Sequence, residues 1–145
     1  MLEWALSFLI VFAGLVLIGF VARYARRYTR ASAVVVEGQT TLKEAVDVSV
    51  RLVVDANVPG GLRAGTSYRS EGHLRLMRDC LVLATNHGRV LELTLEQTGT
   101  VRAPGPRMMI LEGMHPSGRA RVRAELILDD ESGWQAAIVE QRLSA

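Results

Sequence analysis

Residues 4–22, WALSFLIVFAGLVLIGFVA, are apolar without a single charge, and four arginines follow at once: Arg23, Arg26, Arg27 and Arg30. At about 1.5 Å per residue such a run makes a helix of roughly 28 Å, close to the hydrocarbon thickness of a bilayer. A core helix is rarely so long and so uniformly apolar. A cleaved signal peptide carries positive charge before its apolar stretch and small residues at a cleavage site. Here the only preceding charge is Glu3, and the run ends in VARYARR. The pattern predicts a retained transmembrane helix over residues 4–22, with residues 1–3 on the far side of the membrane.

The arginines set the orientation. Positive flanks stay cytoplasmic, so the expected topology is one pass through the inner (plasma) membrane, N-terminus out and the rest of the chain in the cytoplasm. Trp4 at one end and Tyr24 and Tyr28 at the other stand where amphipathic aromatics favour the headgroup level. Each flank arginine also offers about 1 kcal/mol of attraction to anionic lipid near the surface, although setting topology accounts for all four. Gly14 and Gly19 are five apart, so they do not form the GxxxG face of a packed helix pair. The oligomeric state has no signal in the sequence.

Of the 145 residues, about 115 remain after the flank, enough for one domain with a modest core. Their charges nearly balance, 13 basic against 14 acidic, so the net positive charge of the chain belongs to the flank. That removes the electrostatic case for nucleic-acid binding. Lys43 is the only lysine against 16 arginines, a skew that reads as genome composition rather than as phosphate recognition. Cys80 is the only cysteine, which excludes an internal disulfide framework and fits a reducing compartment.

After a basic flank and linker over residues 23–45, in which Ala33 to Val36 is a short strand or the linker's end, continuous apolarity gives way to alternation. Val46, Val48, Val50, Leu52 and Val54 alternate with Asp47, Ser49, Arg51 and Val53, the period of a half-buried strand. The β-branched valines favour strand over helix. Residues 55–72 read as a long loop with room for a short strand. Strand-like runs follow at 73–78, 80–85 and 89–95, the last two joined by Asn86-His87-Gly88, where glycine supplies the positive φ of a tight turn. Further runs fall at 107–111 and 119–128, set off by Pro104-Gly105-Pro106 and His115-Pro116-Ser117-Gly118. Asp129 or Asp130 can cap a final helix over 130–144 in which Trp134, Ala137, Ile138 and Gln141 share one face. The expected fold is a mainly-β domain over residues 46–145: six or seven short antiparallel strands closed by one amphipathic helix.

Strands followed by a single tryptophan-bearing helix resemble a pleckstrin-homology (PH)-like domain. The resemblance rests on Gly72-His73-Leu74-Arg75-Leu76, Leu81-Val82-Leu83, the 86–95 hairpin and ELILDDESGWQAAI at 125–138, about 75 residues of pattern rather than of diagnostic motif. It implies a strongly bent antiparallel barrel plugged by the C-terminal helix, with Trp134 packed into it. Small bacterial proteins that join one N-terminal anchor to a cytoplasmic PH-like domain share this architecture. Phosphoinositide-binding members carry clustered Lys and Arg around the first hairpin loop. Residues 55–72 offer only Arg63 and Arg69, balanced by Asp55 and Glu71, so that recognition is not implied. The alternative is another small antiparallel barrel, such as an oligonucleotide-binding fold, and the terminal Trp helix is the main reason against it.

No chemistry-bearing motif emerges. His73, His87, His115 and Cys80 lack zinc-ligand spacing. Cys80 opens an apolar run, where cysteine acts as a small hydrophobe. Ser67, Ser117 and Ser132 lack a nucleophile elbow, and the glycines at 60–65 precede no Gly-Lys-Ser/Thr. No enzyme, metal or cofactor is expected. Arg119, Arg121 and Arg123 share a strand face with Glu125, the arrangement of a solvated surface. The binding candidates are Arg63, Tyr68 and Arg69 in the 55–72 loop. The function expected is therefore a protein-interaction or scaffolding module held at the membrane, its partner a protein in or at that membrane. The alternative is an anionic-lipid sensor using the flank arginines and the same loop.

Overall fold

The computed structural model describes residues 2–32, 40–58, 61–100 and 102–144. Its elements in order are α1 (Leu2–Ser32), β1 (Thr41–Val54), β2 (Ser67–Met77), β3 (Cys80–Thr85), β4 (Gly88–Thr94), a 3-10 turn (Gln97–Thr100), β5 (Arg102–Gly105), β6 (Met108–Met114), β7 (Arg121–Ile127) and α2 (Glu131–Ser144). The strands form one curled sheet in the order β4-β3-β2-β1-β7-β6-β5, every pair antiparallel. Residues 33–36 lie outside the described residues.

The helix α1 continues unbroken through the basic flank to Ser32. Its large described side chains, Trp4, Phe8 to Phe12, Leu15 to Ile18, Phe20 and Val21, are each more than half exposed. Taken over the described residues, no helix is long and apolar enough to cross a membrane.

The strand β1 is the hinge of the sheet. Its first half pairs with β2 alone, and its second half pairs with β2 on one side and β7 on the other. The pairing slips between Ala45 and Val48, where Asp47 takes a φ of 54°. A bulge adds one residue to a strand and so exchanges its two faces. Val46, expected on the buried face with Val48, is therefore turned outward and is 48% exposed.

Three other expectations need correction. Residues 67–72 are not loop but the first half of β2, and the connection from β1 spans only 55–66. Ser67, Arg69 and Glu71 lie on the exposed face, and this polarity masked the strand period. Pro104 and Gly105, expected only as punctuation with Pro106, end the edge strand β5, a place where Pro104 removes no interior ladder bond. Arg107 takes a φ of 64° in the turn before β6, so that strand starts one residue later than expected and runs on to Met114.

The core follows the predicted alternation elsewhere. Val48, Val50, Leu52 and Val54 meet Leu91, Leu93 and Leu95 and the inward residues of β7, Val122, Ala124 and Leu126, in one buried cluster. Gly88 opens β4 at a φ of 90°, as the turn requires. At Gly113 the sheet curls onto itself: a Cβ there would overlap Leu93 Cδ2 and lie 3.0 Å from Leu91 Cδ1. A side chain there would have to displace the ends of Leu93 and Leu91.

The helix α2 plugs one end of this curl. Asp130 caps it, accepting from the Gly133 amide at 3.2 Å, and Trp134 and Ile138 are the residues it buries. Lys43, from the start of β1, places Nζ 2.8 Å from Asp130 Oδ2 and 5.5 Å from the Trp134 ring centroid. The sole lysine thus ties the first strand to the last helix by an ion pair and a cation–π contact.

Candidate functional site

The end of the curl opposite α2 is open, and a cleft of about 900 Å³ lies there between the ends of β1, β4, β6 and β7. That is the size range of pockets for drug-sized ligands. Val54, Leu93, Gly113 and Val122 give it an apolar floor. Asp55, Glu96, Glu112, Arg121 and Arg123 supply charges of both signs around it, and Met114 stands on the rim, 44% exposed.

The backbone of the cleft is held firmly. Asp55 donates its amide to the Arg121 carbonyl at 3.2 Å, and its Oδ1 accepts the Arg121 amide at 2.6 Å. Arg123 lies 3.5 Å from both Glu112 and Glu125, and Arg51 lies 3.6 Å from Glu125. These outer-face pairs are largely solvated and act as orienting contacts more than as sources of stability. Arg119, Arg121 and Arg123 are all exposed, the solvated face expected of them.

The connection 55–66 is ordered at its base. Gly65 donates to the Val54 carbonyl, Val58 to the Leu62 carbonyl, and Ala64 to Asn57 Oδ1 at 2.9 Å. Val58 and Leu62 are buried in the main core. Tyr68 closes this connection: its hydroxyl accepts the Arg63 amide at 2.8 Å and donates to the Gly61 carbonyl at 3.3 Å, while its ring meets His87 edge-on. Substituting Tyr68→Phe is expected to cost about 1 kcal/mol and to speed hydrogen exchange at the Arg63 amide, which NMR would read directly.

Of the three residues singled out from sequence, Tyr68 meets the Arg63 backbone, and Arg69 lies apart from both. Tyr68 is half-buried and packs on the core. Its neighbour Arg69 is on the opposite face of β2, directly across from Arg51. The Arg63 side chain is exposed. Of the flank, Arg23 is exposed on α1, and the side chains of Arg26, Arg27 and Arg30 lie outside the description.

The histidines and the cysteine do not converge either, and among the described residues no group of three potential metal ligands occurs. His73 is buried on the outer face, its Nε2 2.6 Å from Glu44 Oε1, with Arg75 Nη2 2.8 Å from the same oxygen. The hydrogen bond from Arg75, seconded by His73, holds the Glu44 carboxyl below the usual range despite partial burial. His115 is buried in the β6–β7 turn, where its Nδ1 accepts the Ser117 amide at 3.1 Å, which makes Nε2 the protonated nitrogen of the neutral ring. Burial pushes its pKa down. Cys80 is buried too, and desolvation pushes its thiol up, away from reactivity.

The depressed groups bind protons less readily when folded, so each contributes stability above its unfolded pKa and loses it as the pH falls through its folded value. Acid is therefore expected to weaken the fold in two stages. The first begins below about pH 6.5, as the pH falls toward the lowered His115 value, and the second below about pH 4.5, as it falls toward the lowered values of Glu44 and of Asp130, which Lys43 depresses. Thermal melts across pH 3–8 would show both stages, and His115→Asn should remove only the first.

Sequence reasoning did not find the cleft. Its one advance signal was Gly113, a lone glycine in apolar surroundings, and the strand carrying it was expected to stop at Leu111. Among the described residues, the lining's titratable side chains are Asp55, Glu96, Glu112, Arg121 and Arg123. What it offers is an apolar seat with charges of both signs around it. The chain matches no protein-family model, no curated protein and no solved structure.

Proposed function

We propose that this chain is a membrane-anchored interaction module: α1 crosses the bilayer once with its N-terminus out, and a PH-like domain on the cytoplasmic side receives a protein partner in its open cleft. The observation that carries the reading is the exposure of twelve large apolar side chains along α1. At about 1.5–3 kcal/mol for each side chain removed from water, their burial in lipid is worth on the order of 20–30 kcal/mol. The uncharged run of residues 4–22 ahead of four arginines supports both the span and its direction.

The PH-like reading is supported by the strand order, by the hinge role of β1, and by the plug formed by Trp134 and Ile138. The anchor confines the domain to two dimensions and raises its effective concentration beside membrane partners. An apolar segment of such a partner fits the floor of the cleft, and the charges around it would fix register.

The test is site-specific photocrosslinking of the full-length protein in its native membrane, with the reactive side chain at Met114 or, as a control, at Val139 on the exposed face of α2. A discrete protein adduct from Met114 alone supports the reading. Lipid adducts alone, with salt-sensitive binding to anionic vesicles, would replace it by the lipid-sensing alternative.

A further inference from the structure

On the outer face of the sheet the charges of β6, β7 and β1 alternate in sign along a continuous ladder. Glu112 on β6 faces Arg123 on β7, with Oε1 and Nη1 3.5 Å apart, and Arg123 Nε lies 3.5 Å from Glu125 Oε1. Glu125 stands directly across from Arg51 on β1, its Oε2 3.6 Å from Nη1. The next rung, on β2, breaks the alternation, because Arg51 is directly opposite Arg69. Like charges at opposed positions of an antiparallel pair destabilise it. Among the described residues the Arg69 guanidinium has no hydrogen-bond or ion-pair partner, and Glu71, two positions along β2, is opposite Ser49.

A groove of about 360 Å³ lies at this rung, lined by Ser49, Arg51, Arg69, Met108, Glu125 and Ile127 among others. Ile127 is 51% exposed and Met108 is half-buried, so the groove has apolar surface beside its charges. Arg51 is held from two sides, since its Nε donates to Ser67 Oγ at 2.8 Å while Nη1 faces Glu125. That leaves Arg51 Nη2 and the Arg69 fork as donors without an acceptor among the described residues. The groove shares no lining residue with the cleft at the end of the curl.

We infer that this groove binds a small organic oxyanion, a phosphate ester or carboxylate seated between Arg51 and Arg69 with a compact apolar body against Ile127 and Met108. The anion supplies the missing negative member of the ladder and so relieves the repulsion between the two arginines. Guanidinium groups converging on one oxyanion make charge-assisted hydrogen bonds, about twice as strong as neutral ones. Glu125, on the other side of Arg51, disfavours a ligand with a second anionic group. The volume of the groove, at the lower end of the range for ligand pockets, sets the compactness of the body. The inference depends neither on the cleft nor on what surrounds residues 4–22.

The full-length protein in zwitterionic detergent micelles is titrated with phenyl phosphate, benzoate and inorganic phosphate. NMR follows the Nε–H signals of Arg51 and Arg69 and the methyl groups of Ile127. Phenyl phosphate or benzoate is expected to shift all three together and saturably, and the tighter of the two identifies the head group. Inorganic phosphate, which has no apolar body, is expected to bind about 10-fold more weakly. Arg69→Gln should weaken binding by at least about 10-fold. Arg69→Glu should abolish it and, by completing the ladder, raise the melting temperature by about 1–4 °C, the opposite of losing a structural contact. The inference is overturned if none of the three anions gives a saturable shift, if the shifts persist in Arg69→Glu, or if that variant melts below the unmodified chain. Shifts that appear only in bilayers containing anionic lipid would also overturn it and assign the two arginines to the membrane surface.

Discussion

Replacing Trp134 with alanine is expected to destabilise the β domain by about 3–5 kcal/mol, the range for deleting a buried tryptophan. Trp134 is 2% exposed and fills the end of the curl against residues from both halves of the sheet. Its neighbours are anchored strands that cannot all collapse into the space left behind. The loss has a second part, since Lys43 would keep its partner Asp130 but lose the ring beneath it. That contact is worth about 0.5–1 kcal/mol at a partly exposed site. A urea titration of the full-length protein in detergent, followed by protease resistance, would measure the change. A cost under about 1 kcal/mol would mean that α2 lies on the barrel without plugging it.

Gly113→Val is the second large effect. A Cβ at Gly113 already overlaps the end of the Leu93 side chain, and the added methyls require Leu93 and Leu91 to repack or β6 to shift from β4. Overpacking of this kind costs about 1–3 kcal/mol. Gly113 also forms part of the cleft floor, so the same substitution should abolish the crosslink formed from Met114. Gly113→Ala should show a smaller version of both effects. A fully stable Gly113→Val protein would indicate that the seam between β4 and β6 is loose.

Much of the β domain was legible because one face of most strands is buried. The alternation in β1 and β7 gave the core positions Val48 to Val54 and Val122 to Leu126, and the 3.6-residue period gave Trp134 and Ile138. Legibility failed where a local device broke the period. The bulge at Asp47 reversed the face of Val46, and the polar outer face of Ser67, Arg69 and Glu71 made the start of β2 look like loop.

The unbroken apolar run from Cys80 to Ala84 carried a further signal, because a strand apolar on both faces is covered on both. The cleft was illegible for a different reason. Asp55, Leu93, Gly113 and Arg121 come from four strand ends, and only the closing of the sheet brings them together. Tyr68 and Arg69, adjacent in sequence, are separated by the pleat of β2, which sends Tyr68 inward to meet the Arg63 backbone and Arg69 outward.

The central claim is that this domain is held to a bilayer by residues 4–22. Alkaline carbonate extraction of membranes from cells producing the full-length protein tests it most directly, because the treatment strips proteins held only at the membrane surface. The account predicts that the chain stays in the membrane pellet after extraction. Release into the supernatant, with the chain intact, would contradict it and leave the exposed face of α1 to be covered by protein rather than lipid.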